Sequence, residues 1–303
     1  VWVYEGLTVY LGDMLTVRSG LWSPESWRQA VAYRAAVMAH RTGREWRPLL
    51  DTTDSAQLLY GAPNAWSNWR RKTDFYREGQ LLWLAVDMKI RTLSHDRRSI
   101  DDFARQFFGV DSGSFVTHTY TFQDAINALN AVQPYDWASF LHNWLNGVGP
   151  QVPLLSGIEA SGWRLVYTDR PSRYQEALEN VGPGELSRTG VNAMFSVGLF
   201  LDREGNIEDV LWNGPAYESG LTPGMKIVAI DGRPYSTEVL RSEIAQAQKT
   251  TKPLQITASG DGVTGFYPVH YDGGLKYPHL VRVPGTTDYL RHILAPKPLD
   301  NGS

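Results

Sequence analysis

The stretch that decides the fold is residues 213–234, NGPAYESGLTPGMKIVAIDGRP. Its apolar run Lys226–Ile230 lies between Pro223-Gly224 and Asp231-Gly232, the pattern of a strand entered from a turn and left through a hairpin. The same texture continues outward. Short β-branched runs at Val197–Leu201, Ile207–Leu211, Leu254–Ala258 and Gly265–Val269 predict further strands, and a helix is expected at about Thr237–Gln248. A β-rich unit over 191–275 follows from this spacing.

Upstream the pattern is helical, from Tyr4 to about Leu145. Ser23 before Pro24-Glu25, Ser99 before Ile100-Asp101-Asp102, Thr121 before Phe122-Gln123-Asp124 and Asp136 before Trp137 each carry a helix-start signal. The longest helix is expected over Thr73–Leu93, with Phe75, Leu82, Val86 and Ile90 on one face and Lys89 and Arg91 near its end. Gly147, Pro150, Pro153 and Gly157 then break the pattern, and Trp163–Tyr167 reads as a strand. The expected organisation is a helical part at 1–150, a linker with one strand at 151–190, the β-rich unit at 191–275 and a tail at 276–303, loose from Pro296 to Ser303.

Composition narrows the function classes. The chain has 303 residues, 42% hydrophobic and 20% charged, with a formal net charge of −3, as in an ordinary globular protein. The basic runs Arg70-Arg71-Lys72 and Arg97-Arg98 are short and sit beside acids, so no nucleic-acid partner is expected. With no cysteine there is no disulfide, no thiolate metal site and no cysteine nucleophile. That composition suits a periplasm slightly better than a cytoplasm without deciding between them. The longest apolar run, Leu81–Val86, is far shorter than the roughly 20 residues of a membrane span. Val1 begins in mid-pattern, so the chain is expected to be the C-terminal part of a longer protein.

Residues 213–234 closely resemble the core of a bacterial-type PDZ domain, in which a short helix ends at a glycine before the Pro-Gly turn. That resemblance implies a carboxylate-binding loop at Ser196, Val197, Gly198 and Leu199. A peptide or a protein C-terminus would there add a strand beside the helix that begins near Thr237. The alternative is a packing module whose groove is filled by its own chain.

Two shorter motifs carry a second resemblance. Trp2-Val3-Tyr4-Glu5-Gly6-Leu7-Thr8 resembles the segment that follows the zinc-binding helix of gluzincin peptidases, most of all in the glycyl aminopeptidase family M61. Phe75-Tyr76-Arg77-Glu78-Gly79-Gln80 resembles that family's Tyr-x-x-Gly helix, and Tyr277–Thr286 is similar to its C-terminal tail. The motifs occur in the family's order. They imply a multidomain α + β architecture, the α-helical half of a thermolysin-like catalytic domain followed by a PDZ-like β-rich domain.

The resemblance further implies a zinc metallo-aminopeptidase acting on peptides with small N-terminal residues, glycine or alanine. Glu5 would be the carboxylate ligand of zinc and Tyr76 the donor to the oxyanion. Gly79, one turn beyond Tyr76, would let another backbone come close. Read on their own, Glu5 is equally a surface acid or a helix-dipole partner, and Tyr76 a packed tyrosine. The seven histidines, at 40, 95, 118, 142, 270, 279 and 292, include no His-Glu-x-x-His. The zinc helix is therefore expected upstream of Val1, zinc in the full-length protein only, and this fragment is expected to be inactive and metal-free. The competing readings are a non-catalytic PDZ peptide-binding scaffold and a carbohydrate-binding surface built on Trp22, Trp27, Trp46, Trp66 and Trp69.

Overall fold

A computed structural model describes residues 1–111, 113–180 and 190–297; residues 298–303, in the stretch expected to be loose, lie outside the described residues. The chain starts with a single π-helical turn, Trp2–Gly6, that runs directly into α1, Leu7–Arg18. Ser23 caps α2, Pro24–Ala39, by accepting from the Ser26 N–H, with Pro24 in the first turn. Three short helices follow, α3 Leu49–Asp54, α4 Ala56–Leu59 and α5 Ser67–Arg70. The central helix α6 spans Asp74–Leu93 and is buried along most of its length. Capping boxes at Ser99 and Thr121 start α7, Ile100–Phe108, and α8, Phe122–Val132. Asp136 caps α9, Trp137–Asn146, and α10 spans Ser156–Ala160.

Next come β1, Trp163–Thr168, and α11, Arg173–Asn180. The β-rich unit holds β2 Val191–Ala193, β3 Leu199–Leu201, β4 Ile207–Val210, α12 Pro215–Glu218 and β5 Lys226–Ile230. It closes with β6 Arg233–Pro234, α13 Thr237–Thr250, β7 Leu254–Gly260 and β8 Val263–Val269. Its strands form two antiparallel sheets, β2-β3-β4 and β6-β5-β7-β8, with α12 and α13 against them. This is the PDZ-like arrangement expected from residues 213–234. Asp231 takes a positive φ of 50° before Gly232 at 75°, as the Asp-Gly hairpin requires.

The segments on either side of the β-rich unit meet. Strand β9, Tyr277–Arg282, pairs antiparallel with β1 over six residue pairs, from Trp163↔Arg282 to Thr168↔Tyr277. The last helix, α14 Tyr289–Leu294, buries Leu290, Ile293 and Leu294 in the helical core. The apolar residues therefore divide into two cores. One gathers the helical part with β1 and α14 around Trp27, Trp83, Trp137 and Trp144; the other belongs to the β-rich unit alone.

The units join through residues 66–69. The buried Asp209 carboxylate accepts from Ser67 Oγ at 2.7 Å and Asn68 Nδ2 at 3.1 Å, and Trp212 stacks on Trp69 with centroids 4.9 Å apart. Trp27 is fully buried and Trp66 packs on Trp212 and Tyr217, so these tryptophans build cores and a junction.

Candidate active site

The site is made by two glycines. A Cβ built on Gly79 would lie 2.8 Å from Gly6 Cα, and one on Gly6 would lie 2.8 Å from Gly79 Cα, so the π turn and α6 touch backbone to backbone. Any side chain would force them apart. Trp2 holds the turn in place, stacked on Trp83 at 5.8 Å, while Trp83 Nε1 donates to the Trp2 carbonyl at 3.3 Å. Glu5 immediately precedes Gly6, and Tyr76 lies one helical turn before Gly79. The close approach brings them together.

The Tyr76 hydroxyl lies beside the Glu5 carboxylate, close enough for the two to interact. It also lies 3.0 Å from the Tyr60 hydroxyl. Either hydroxyl of the Tyr60–Tyr76 pair can be the donor. Partial burial and the neighbouring Tyr60 hydroxyl and Glu5 carboxylate push the Tyr76 hydroxyl well above its usual pKa. It stays protonated and remains a donor at any physiological pH.

Beneath the site lies a buried ion network. Arg71 Nε donates to Asp74 at 2.8 Å and its Nη2 to Glu78, while Arg41 and Arg44 each stand 3.5 Å from Asp74 and Glu78 respectively. Burial alone would raise the Asp74 carboxyl; Arg41 and Arg71 override it and hold it low. Arg71 adopts φ 57°, a conformation costly for a residue with a side chain, and its contacts to both carboxylates fix it there. The network anchors the start of α6, two residues from Tyr76.

Zinc does not fit this chain by itself. Among the described residues no group of three or more His, Cys, Asp or Glu side chains could hold a metal ion. Glu5 supplies one carboxylate, and a zinc centre needs three or four protein ligands.

The loop Ser196, Val197, Gly198 and Leu199, expected to bind a carboxylate, is buried. The N–H groups of Ser196 and Gly198 donate to the Ala193 carbonyl at 3.1 and 3.0 Å, and Ser196 Oγ accepts from the Lys276 N–H. Strand β3 lies between β2 and β4, paired Val191↔Leu201 and Ala193↔Leu199 on the side where a peptide would add. Val191 and Ala193 are buried in the second core, which is why this short strand occupies the edge. The residue pattern around Asn192 is too short to have announced it.

Residues 1–82 match the model of the M61 glycyl aminopeptidase family. That stretch contains both Glu5 and Tyr76, and the M61 resemblance stands on it. The fold of the whole chain is similar to that of a solved aminopeptidase N family protein from Idiomarina loihiensis, with TM-score 0.64 at 18% identity. The match covers 97% of this chain and 48% of that one, so the chain spans about half the length of this relative. A solved HtrA3 PDZ domain bound to a phage-derived ligand, FGRWV, matches at 17% identity over 40% of this chain and 91% of its own, with TM-score 0.19. No curated protein matches.

Sequence reasoning missed Tyr60, which lies sixteen residues before Tyr76 among short, poorly periodic helices. It also missed the π turn and the arginine network. The pairing of Gly6 with Gly79 had a signal, since each glycine closes the motif that carries a site residue.

Proposed function

We propose that this chain is the C-terminal half of an M61-type zinc metallo-aminopeptidase that removes N-terminal glycine or alanine from peptides. The observation that carries the reading is the placing of Tyr76 beside Glu5, inside the segment that matches the family. It brings together one carboxylate suited to a metal and one neutral hydroxyl suited to an oxyanion. The preference for glycine and alanine is what the family likeness implies.

In this reading Glu5 is one zinc ligand of the longer protein, and its remaining ligands come from outside this chain. Tyr76 donates to the carbonyl oxygen of the scissile bond as negative charge builds there. Tyr60, with its hydroxyl 3.0 Å from that of Tyr76, helps hold the donor in place. This chain alone is inactive and binds no zinc stoichiometrically.

The test is release of N-terminal glycine or alanine by the longer protein and its Glu5→Gln and Tyr76→Phe variants, with zinc content measured in parallel. Zinc loss in the first and a large fall in kcat in the second support the roles. Full activity in both overturns them. The alternative, a non-catalytic peptide-binding scaffold, would require β2 to leave the edge of β3 before a peptide could pair there.

A further inference from the structure

A cavity of about 610 Å³ lies between the helical part and the β-rich unit, within the roughly 300–1,000 Å³ of small-molecule sites. Tyr76 lines it, and so does Val9, one helical turn beyond Glu5, so the cavity adjoins the site just described. The side chain of an N-terminal glycine or alanine, a hydrogen or a methyl group, would leave nearly all of this space empty. The part of a substrate that lies beyond the scissile bond is large enough to fill it.

Both units build an aromatic corner in its wall. Tyr33 lies on α2 and His40 at the C-terminal cap of that helix, while Phe195 comes from the segment between β2 and β3. The Phe195 ring meets His40 at 5.1 Å and Tyr33 at 6.1 Å between centroids, edge to face in both cases. Such rings present rigid apolar area on which another large side chain can pack. His40 adds a polar anchor. Its Nδ1 lies 2.9 Å from the Ala36 carbonyl oxygen, which can only accept, so Nδ1 carries the proton. Burial holds the imidazole below its usual pKa, so the ring is neutral at neutral pH and Nε2 is an acceptor. Nε2 has no hydrogen-bond partner among the described residues, and it is not one of the buried polar atoms cut off from solvent. A matching ligand offers an N–H next to a large apolar side chain, and a peptide residue carries both.

We propose that this cavity is the subsite for the residue that follows the scissile bond. A large apolar side chain of that residue packs on Phe195 and Tyr33, and a peptide N–H of the leaving part donates to His40 Nε2. The choice of a peptide as the occupant rests on the peptidase reading. The β-rich unit then selects substrate through Phe195, and not through the side of β3 that β2 already fills.

The test is calorimetric titration of this chain with Ala-Phe-Ala and with Ala-Gly-Ala. The first should bind about tenfold more tightly than the second, since burying one large apolar side chain is worth roughly 1.5–3 kcal/mol. His40→Phe keeps a ring and loses the acceptor, and should weaken Ala-Phe-Ala by roughly 3–10-fold, the worth of one hydrogen bond. Phe195→Ala should bring the two tripeptides closer in affinity. Equal affinity of the two, or no binding of either, overturns the proposal without any variant having to fold. Undiminished binding in a folded His40→Phe overturns His40 as the anchor, and an undiminished preference in a folded Phe195→Ala overturns the aromatic corner. Benzyl alcohol, a ring without a peptide group, binding as tightly as Ala-Phe-Ala would reduce the cavity to a general apolar pocket and overturn the peptide assignment. Because binding is read on this chain without zinc, its failure is distinct from failure of the peptidase reading, which is judged by hydrolysis in the longer protein.

Discussion

Gly6 and Gly79 meet backbone to backbone, each leaving 2.8 Å for the Cβ the other lacks. Backbone cannot swing aside as a side chain can. Gly79→Ala should therefore destabilise the chain by about 1–3 kcal/mol, as overpacking of a close contact does. Urea unfolding followed by tryptophan fluorescence would measure it. An alanine tolerated without loss would mean that the π turn is not held against α6.

Tyr76→Phe in the longer protein should lower kcat by roughly 10²–10³ with little change in KM, the usual effect of removing one oxyanion donor. Because burial and its two partners hold the Tyr76 hydroxyl above its ordinary pKa, its ionisation should not shape the activity profile on the alkaline side. The spectrophotometric tyrosinate titrations of this chain and of its Tyr76→Phe variant should superimpose up to about pH 10, the ordinary tyrosine value. A difference below that pH would show that Tyr76 ionises early and is no steady donor.

Arg71 is almost completely buried between Asp74 and Glu78. Arg71→Met would leave two carboxylates short of their shared partner, and loss of one member of a buried ion pair costs about 3–5 kcal/mol. Chemical denaturation would read the loss. A change below about 1 kcal/mol, the range of surface pairs, would show that water reaches the cluster.

Acid should weaken the fold at named places. At Asp74 and Asp101 burial acts upward, but their arginine partners, joined at Asp101 by Lys297, more than offset it and hold both carboxyls below their usual values. A carboxyl depressed in the folded state stabilises it above the unfolded pKa of about 3.9 and loses that contribution as pH falls toward the folded value. Stability should drop below about pH 4, and Asp101→Asn should flatten part of that slope. Thermal melts between pH 5 and pH 2 would test it, and an unchanged slope in Asp101→Asn would count against the Arg18 and Lys297 contacts.

Asp209 links the two units through Ser67 and Asn68. Asp209→Ala should cost about 1.5–3 kcal/mol, as loss of a charged hydrogen bond does, and should broaden or split the calorimetric transition relative to that of the unaltered chain. A sharp, unshifted transition would mean that the remaining contacts, such as the tryptophan stack and the Asn192–Tyr33 hydrogen bond, suffice to couple the units.

The elements easiest to read were those whose signals are local. Caps at Ser23, Ser99, Thr121 and Asp136 depend on a few neighbouring residues, and each starts a helix where expected. The strand at Lys226–Ile230 and its Asp-Gly exit are equally local. Glu5 and Tyr76 could be singled out through their motifs, and the structure brings them side by side. What decides the rest is non-local. Whether β3 has a free edge depends on three residues at 191–193 that carry little periodicity but bury two side chains. Tyr60 joins the site because of a turn between short helices, and the arginine cluster needs partners from separate segments. Segments 151–190 and 276–303, which look like linker and tail when read in order, share a strand ladder that no single window of sequence contains.

That ladder also fixes what the β-rich unit is to the rest of the chain. Thr168 and Tyr277 stand directly opposite each other at the end of the β1–β9 pairing. Everything from 169 to 276 is thus one long excursion that leaves and re-enters at neighbouring points. A two-residue Asn-Gly turn joining Thr168 to Tyr277 would turn β1 and β9 into an ordinary hairpin. The helical part would keep α14 in its core but lose the packing of Tyr174 on Trp22 and Tyr33 and the contacts of Ser67, Asn68 and Trp69 with Asp209 and Trp212, so those are the places where removal of the excursion would have to be repaired.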